Sequence, residues 1–214
     1  MKLNQKNWSD KNKVQSRIAN IVNPYRKYFH QSLPKDRQFW TLSGQCTTNL
    51  EPLSGCELLQ MIEEGLITPD QYRGVEFEKE ICENNQAVYP CVPFTHGDFY
   101  EAMKKAYMKR EFNPGIINFD STYMPMRGIQ YLSDILCLVN DINIEEVLII
   151  GNFAQINPHG GRNIYSPEDM ISLLKKNEIF CHAFKTGGWK YHLKSNVYRC
   201  RSSRTPFMSI LFYR

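Results

Sequence analysis

The chain has 214 residues, 42% of them hydrophobic and 22% charged, with a formal net charge of +4. That composition is ordinary for a globular protein with one sizeable core. No apolar run approaches the roughly 20 residues of a membrane helix, and the polar start Met1-Lys-Leu-Asn-Gln-Lys lacks the apolar stretch of a secretory signal, so a cytoplasmic location is expected.

Val14, Ile18, Ile21 and Val22 recur at helical spacing and predict an amphipathic helix that Asn23-Pro24 ends. Residues 1–38 thus read as an N-terminal helical extension and residues 39–214 as an α/β domain. Gln38 to Ser43 is a candidate first strand, followed by Gly44 and a polar loop. Ser54-Gly-Cys-Glu57 has capping-box spacing and predicts a helix through Leu58, Leu59, Ile62 and Leu66. Tyr72 to Phe77 reads as a second strand and Glu78 to Asn84 as a helix. Pro90 to Thr95 is a short extended piece whose two prolines place it away from the middle of a sheet. Asp98 and Glu101 repeat the capping spacing before a helix to about Arg110.

Gly115-Ile-Ile-Asn-Phe-Asp120 predicts a buried strand that delivers a carboxylate to its C-terminal end, with Tyr123 just beyond. A helix follows over 128–140, with Ile129, Leu132, Ile135, Leu136 and Val139 on one face. Glu146 to Phe153 carries a continuous apolar run, the pattern of a strand buried on both faces. A Gly/Pro/Asn-rich loop over 155–165 contains His159 and Arg162. Ser166-Pro-Glu-Asp169 starts a helix to about Lys176. Trp189 to Leu193 and Phe207 to Tyr213 predict an antiparallel hairpin closing the sheet. Strand and helix alternate up to that hairpin, so the expected fold is a doubly wound, mostly parallel α/β sheet with a C-terminal antiparallel hairpin strand.

In such a sheet the strand ends share one edge, where ligands bind. That edge would gather Ser43 and Gly44, then Glu76, then Asp98, then Asp120 to Tyr123. A carboxylate after the second strand can accept hydrogen bonds from ribose hydroxyls, and one after the third can accept from the exocyclic amine of a purine. If the register slips by two, Glu78 takes the place of Glu76. Asp98 can cap its helix, contact a base, or do both, and Asp120 has the alternative of capping the following turn.

These residues resemble the Rossmann-like S-adenosylmethionine-dependent methyltransferases over roughly 38–214. Gly74-Val-Glu76-Phe-Glu78 resembles the family's ribose-binding strand, His96-Gly97-Asp98-Phe99 its adenine-contacting turn, and Asp120-Ser-Thr-Tyr123 the Asp/Asn-Pro-Pro-Tyr of its amino-methylating members. Ser43-Gly44 offers one glycine where the family has several, and Ser121-Thr122 replaces both prolines. The resemblance implies S-adenosylmethionine as cofactor, held by Ser43, Gly44, Glu76, Asp98 and Phe99, with Asp120 orienting an amine and Tyr123 stacking on a base. A module that keeps the fold but not turnover, and binds nucleic acid or a protein, is the alternative. A nicotinamide enzyme is disfavoured because no G-x-G-x-x-G follows the first strand.

Charge is unevenly spread: nine Lys/Arg against two acids in 1–37, eight against nineteen in 38–174, and nine against one in 175–214. Basic ends of this kind suit a polyanion such as DNA or RNA, or they pair with the acidic middle. The densest basic and aromatic cluster, Lys194, Tyr198, Arg199, Arg201 and Arg204, is the candidate phosphate-contacting surface. The seven cysteines are scattered without a C-x-x-C pair, and His96, His159 and His192 lack ligand spacing, so neither a disulfide framework nor a metal site is expected.

Overall fold

The computed structural model describes residues 11–121, 125–154, 166–199 and 206–214. Its main sheet has seven strands in the order β5-β4-β1-β6-β7-β9-β8. In chain order these are β1 (Gln38–Leu42), β4 (Tyr72–Glu76), β5 (Phe94–His96), β6 (Pro114–Ser121), β7 (Leu148–Ala154), β8 (Lys190–Arg199) and β9 (Pro206–Tyr213). A two-residue hairpin of β2 (Thr47–Thr48) and β3 (Glu51–Pro52) stands apart from it. β1 pairs in parallel with β4 and β6, and β4 with β5; β9 runs antiparallel to both β7 and β8. The doubly wound, mostly parallel sheet with a reversed C-terminal hairpin is therefore the fold. The chain divides into two compact units, 1–118 and 119–214.

In the first unit, α1 (Lys11–Arg17) passes through a π-helical turn (Ile18–Val22) into α2 (Asn23–Tyr28). The helix thus continues beyond Asn23-Pro24, where the sequence predicts its end. Asn23 N–H bonds back to the Ile18 carbonyl, five residues earlier, so the widened turn lies ahead of Pro24. Pro24 then occupies the first turn of α2.

Next in the first unit come α3 (Glu57–Glu63), α4 (Lys79–Val88) and α5 (Phe99–Met108). The expected Ser54/Glu57 capping box is not formed: Cys56 is the N-cap, and Glu57 is the buried first residue of α3. Glu57 Oε2 instead accepts from Asn118 Nδ2 at 2.8 Å and lies 3.5 Å from Arg17 Nε. Phe39 of β1 stacks on its register partner Tyr72 of β4, with ring centroids 5.7 Å apart, over a core of Ile21, Val22, Leu58, Met61, Ile116 and Ile117.

The second unit holds α6 (Pro125–Asp141), α7 (Pro167–Lys176) and α8 (Glu178–Thr186). Ile129, Leu132, Ile135, Leu136 and Val139 are all buried, as their spacing predicts. The Ser166/Asp169 capping box forms. The sequence pattern predicts no counterpart to α8, and Glu146, expected in a strand, lies in a left-handed turn at φ 56° before β7. Phe180 and Phe184 of α8 pack against Phe212 of β9, with centroids 5.7 and 6.2 Å away. Among the described residues no helix is long and apolar enough to cross a membrane.

Candidate functional site

β1 has β4 on one side and β6 on the other, so the chain's connections leave it in opposite directions. Such a reversal opens a crevice beyond the C-terminal ends of the strands, and ligands of α/β sheets bind there. In the first unit this edge is made by three turns, after β1, β4 and β5.

The turn after β1 is held from several sides. Ser43 N–H donates to the Val75 carbonyl at 3.0 Å, and its hydroxyl donates to the same oxygen at 3.3 Å. Gly44 adopts φ 58°, a left-handed conformation that costs glycine nothing. Asn85 of α4 then grips the turn: its Nδ2 donates to the Gly44 carbonyl at 2.8 Å, and its Oδ1 accepts the Cys46 N–H at 2.9 Å. A hydrogen bond between the free thiols of Cys46 and Cys56, together with burial, pushes Cys46 up, whereas the same bond lowers Cys56.

Glu76 ends β4 and is the hub of the edge. Its Oε1 accepts the Glu78 N–H at 3.0 Å, and the N–H groups of Phe77 and Gly44 also bond to its carboxylate. Burial nevertheless outweighs these donors and raises the carboxyl above the usual carboxylate range. The Glu76 carbonyl accepts the Gly97 N–H at 3.0 Å, which ties in the turn after β5. Gly97 has φ 140°, a conformation other residues rarely adopt. Asp98 follows as N-cap of α5, its Oδ1 accepting the Glu101 N–H at 3.1 Å.

The structure therefore brings Gly44 and Glu76 into direct contact and sets Asp98 one residue beyond a bond to Glu76. Ser43 and Phe99 stand in the same turns, but Ser43 spends its hydroxyl on Val75 and Phe99 is only 3% exposed. The aromatic face at this edge belongs instead to Phe77, which is 72% exposed beside Glu76. An isolated exposed ring is ordinary on protein surfaces. Its position sets a flat apolar face next to a half-buried carboxylate. Phe77 and Asn85 are the residues at this edge that the sequence did not single out. An aromatic directly after a strand-end acid was a signal for the first; nothing in Asn84-Asn85 showed which amide faces inward.

Asp120 lies in β6, two residues past Asn118, as placed by its backbone. Lys194, Tyr198 and Arg199 lie in β8, the last strand of the sheet order, across from Ser209, Phe207 and Pro206 of β9. Tyr123, Arg201, Arg204 and the loop carrying His159 and Arg162 lie outside the described residues. His96 and His192 are exposed, and among the described residues no group of three or more His, Cys, Asp or Glu can hold a metal ion.

No family model matches the chain, and no curated protein matches it. Among solved structures it is similar to a TehB-like SAM-dependent methyltransferase from Corynebacterium glutamicum, at 11% identity and a TM-score of 0.45 over 98% of this chain and 97% of that one. It is also similar to an O-methyltransferase family 2 protein from Planctomyces limnophilus, solved in complex with apigenin, at 12% identity and a TM-score of 0.42. That match covers 96% of this chain and 62% of the other.

Proposed function

We propose that the chain is an S-adenosylmethionine-dependent methyltransferase acting on an amino group, most specifically that of a nucleic-acid base. The observation that carries this reading is the Glu76 carboxylate, fixed by main-chain N–H groups of two turns at the reversal point of the sheet. The donors and faces present fit the cofactor: a fixed carboxylate for ribose hydroxyls, the exposed Phe77 ring for a purine, and the Gly44 turn where backbone can approach an amino-acid group. Asp98, the N-cap of α5, stands in the adjoining turn as the acid assigned to the exocyclic amine.

When bound, S-adenosylmethionine supplies a methyl group on a positively charged sulfur, which an amine nitrogen takes in line, leaving a neutral thioether and a proton for solvent. The protein's part is mainly positioning, because in-line transfer needs little acid–base help. Asp120 is assigned to accept an N–H of the target amine and so orient its lone pair. Tyr123 is assigned to stack on the base. Both assignments rest on the sequence pattern. Lys194, Tyr198, Arg199, Arg201 and Arg204 are assigned to the phosphates of the substrate.

A second reading is a methyltransferase-fold module that binds nucleic acid or a protein partner without turnover. It draws on the same carboxylate, since Glu76 already accepts main-chain donors and so also serves to tie turns together. Calorimetric titration with S-adenosylmethionine and S-adenosylhomocysteine separates the two. Saturable binding that is lost in Glu76→Ala and weakened in Asp98→Ala is expected, followed by methyl transfer to nucleic acid that Asp120→Ala abolishes. No heat with either ligand, from protein shown to be folded, overturns the enzyme reading.

A further inference from the structure

We infer that Asn85 is a positioning residue for the cofactor: it presets the Ser43–Cys46 turn and so does for this chain what extra glycines would do for a flexible loop. The inference rests on the proposed function and deepens it. The turn has a single glycine, so its shape cannot come from backbone freedom along its length. Instead a side-chain amide from α4 acts as a substitute peptide group. Its donor meets the Gly44 carbonyl and its acceptor meets the Cys46 N–H, two residues on. The assignment of the amide is self-consistent, because reversing it would set donor against donor and acceptor against acceptor.

Asn85 is 0% exposed, so these bonds compete with no water. One turn further along the same face, the Tyr89 hydroxyl donates to the Cys46 carbonyl at 3.3 Å. α4 and its C-cap residue Tyr89 therefore hold both polar groups of Cys46 as well as the carbonyl of Gly44. With the Gly44 carbonyl and the Cys46 N–H engaged from the α4 side, the Gly44 turn is fixed before any ligand arrives. Pre-fixed geometry lowers the ordering cost of binding. In the proposed reading, the part of the cofactor that would feel this is the part assigned to the turn, its amino-acid end, rather than the nucleoside assigned to Glu76 and Phe77.

The test compares two ligands by calorimetry: S-adenosylhomocysteine, which has the amino-acid end, and adenosine, which lacks it. Asn85→Asp keeps the acceptor for Cys46 but sets an acceptor against the Gly44 carbonyl, and Tyr89→Phe removes one hydroxyl. Asn85→Asp is expected to weaken S-adenosylhomocysteine on the order of tenfold, the scale of one buried hydrogen bond, with adenosine changed by less than about threefold. Tyr89→Phe is expected to give a smaller change of the same sign, and it covers the case in which Asn85→Asp fails to fold. Equal weakening of both ligands, or none, in a folded variant overturns the positioning role while leaving the cofactor reading intact. Wild-type protein that binds neither ligand overturns both.

Discussion

At the scale of single residues, the buried Glu76 carboxyl carries a cost in stability. Burial raises its carboxyl above the ordinary value of about 4.3, so the native chain holds that proton more tightly than the unfolded chain. A carboxyl raised in this way contributes stability that is fully present below the unfolded value and is lost as pH rises through the native one. Glu76→Gln does not titrate. The difference in melting temperature, variant minus wild type, should therefore increase as pH is raised from about 4 to about 7. A difference that is flat across that range would show that the carboxyl is not raised. Binding should move the other way: ribose hydroxyls need the ionised form as acceptor, so wild-type affinity for S-adenosylhomocysteine falls on acidification earlier than an ordinary glutamate would dictate. Phe99 and Phe77 show the limit of reading single residues. Both flank acids at strand ends, but burial separates them, and burial is decided by the neighbouring elements rather than by local sequence.

At the scale of elements, the strands of the sheet and the face of α6 were legible because period and apolar content are local signals. The Ser166-Pro-Glu-Asp169 helix start was legible for the same reason: its capping bonds span three residues. Ser54-Gly-Cys-Glu57 has equal spacing but fails, since Glu57 is drawn into the interior by Arg17 and Asn118, partners 40 and 61 residues away in sequence. α8 was missed because no Gly or Pro separates it from α7. The break is made by Asn177 alone, whose backbone leaves the helical region at ψ 110°. Its side-chain oxygen accepts the Phe180 N–H at 2.8 Å and the Ser133 hydroxyl at 3.4 Å. Asn177→Ala removes the cap and should lower stability by about 1 kcal/mol. Urea unfolding should show this as a lower midpoint at unchanged slope. If Asn177→Ala were neutral, the boundary between the two helices would be set by packing of Phe180 and Phe184 rather than by the cap.

At the scale of the whole molecule, the structure accounts for part of the uneven charge distribution. Some N-terminal charge is spent inside the first unit: Arg17 pairs with Glu57, and Arg26 with Glu64, each at 3.5 Å. Arg37 donates to Asn113 Oδ1 at 3.0 Å. In the second unit Arg214 is likewise structural, donating to the carbonyls of Val139, Ile144 and Gly187 and lying 4.9 Å over the Trp189 ring. The acidic middle thus neutralises some of the first basic end, which leaves the tail as the stronger candidate for a polyanion. Lys175, Lys176, Lys185 and Lys190 are exposed there, and Lys194 and Arg199 belong to the last strand of the sheet. Binding to nucleic acid through such groups releases counterions, so affinity should fall with salt on a log–log line. Replacing Lys194, Arg199, Arg201 and Arg204 together by alanine should reduce that slope by roughly 0.7 to 0.9 for each phosphate that is no longer neutralised. S-adenosylhomocysteine affinity should stay unchanged, because the residues assigned to the cofactor lie in the first unit. Fluorescence anisotropy on a labelled single strand and on a duplex, at several salt concentrations, gives both slope and preference. An unchanged slope in the quadruple variant would remove the tail from the substrate surface and direct attention to the remaining exposed lysines. Loss of cofactor binding together with the slope would instead mean that the four residues hold the fold, as Arg214 does.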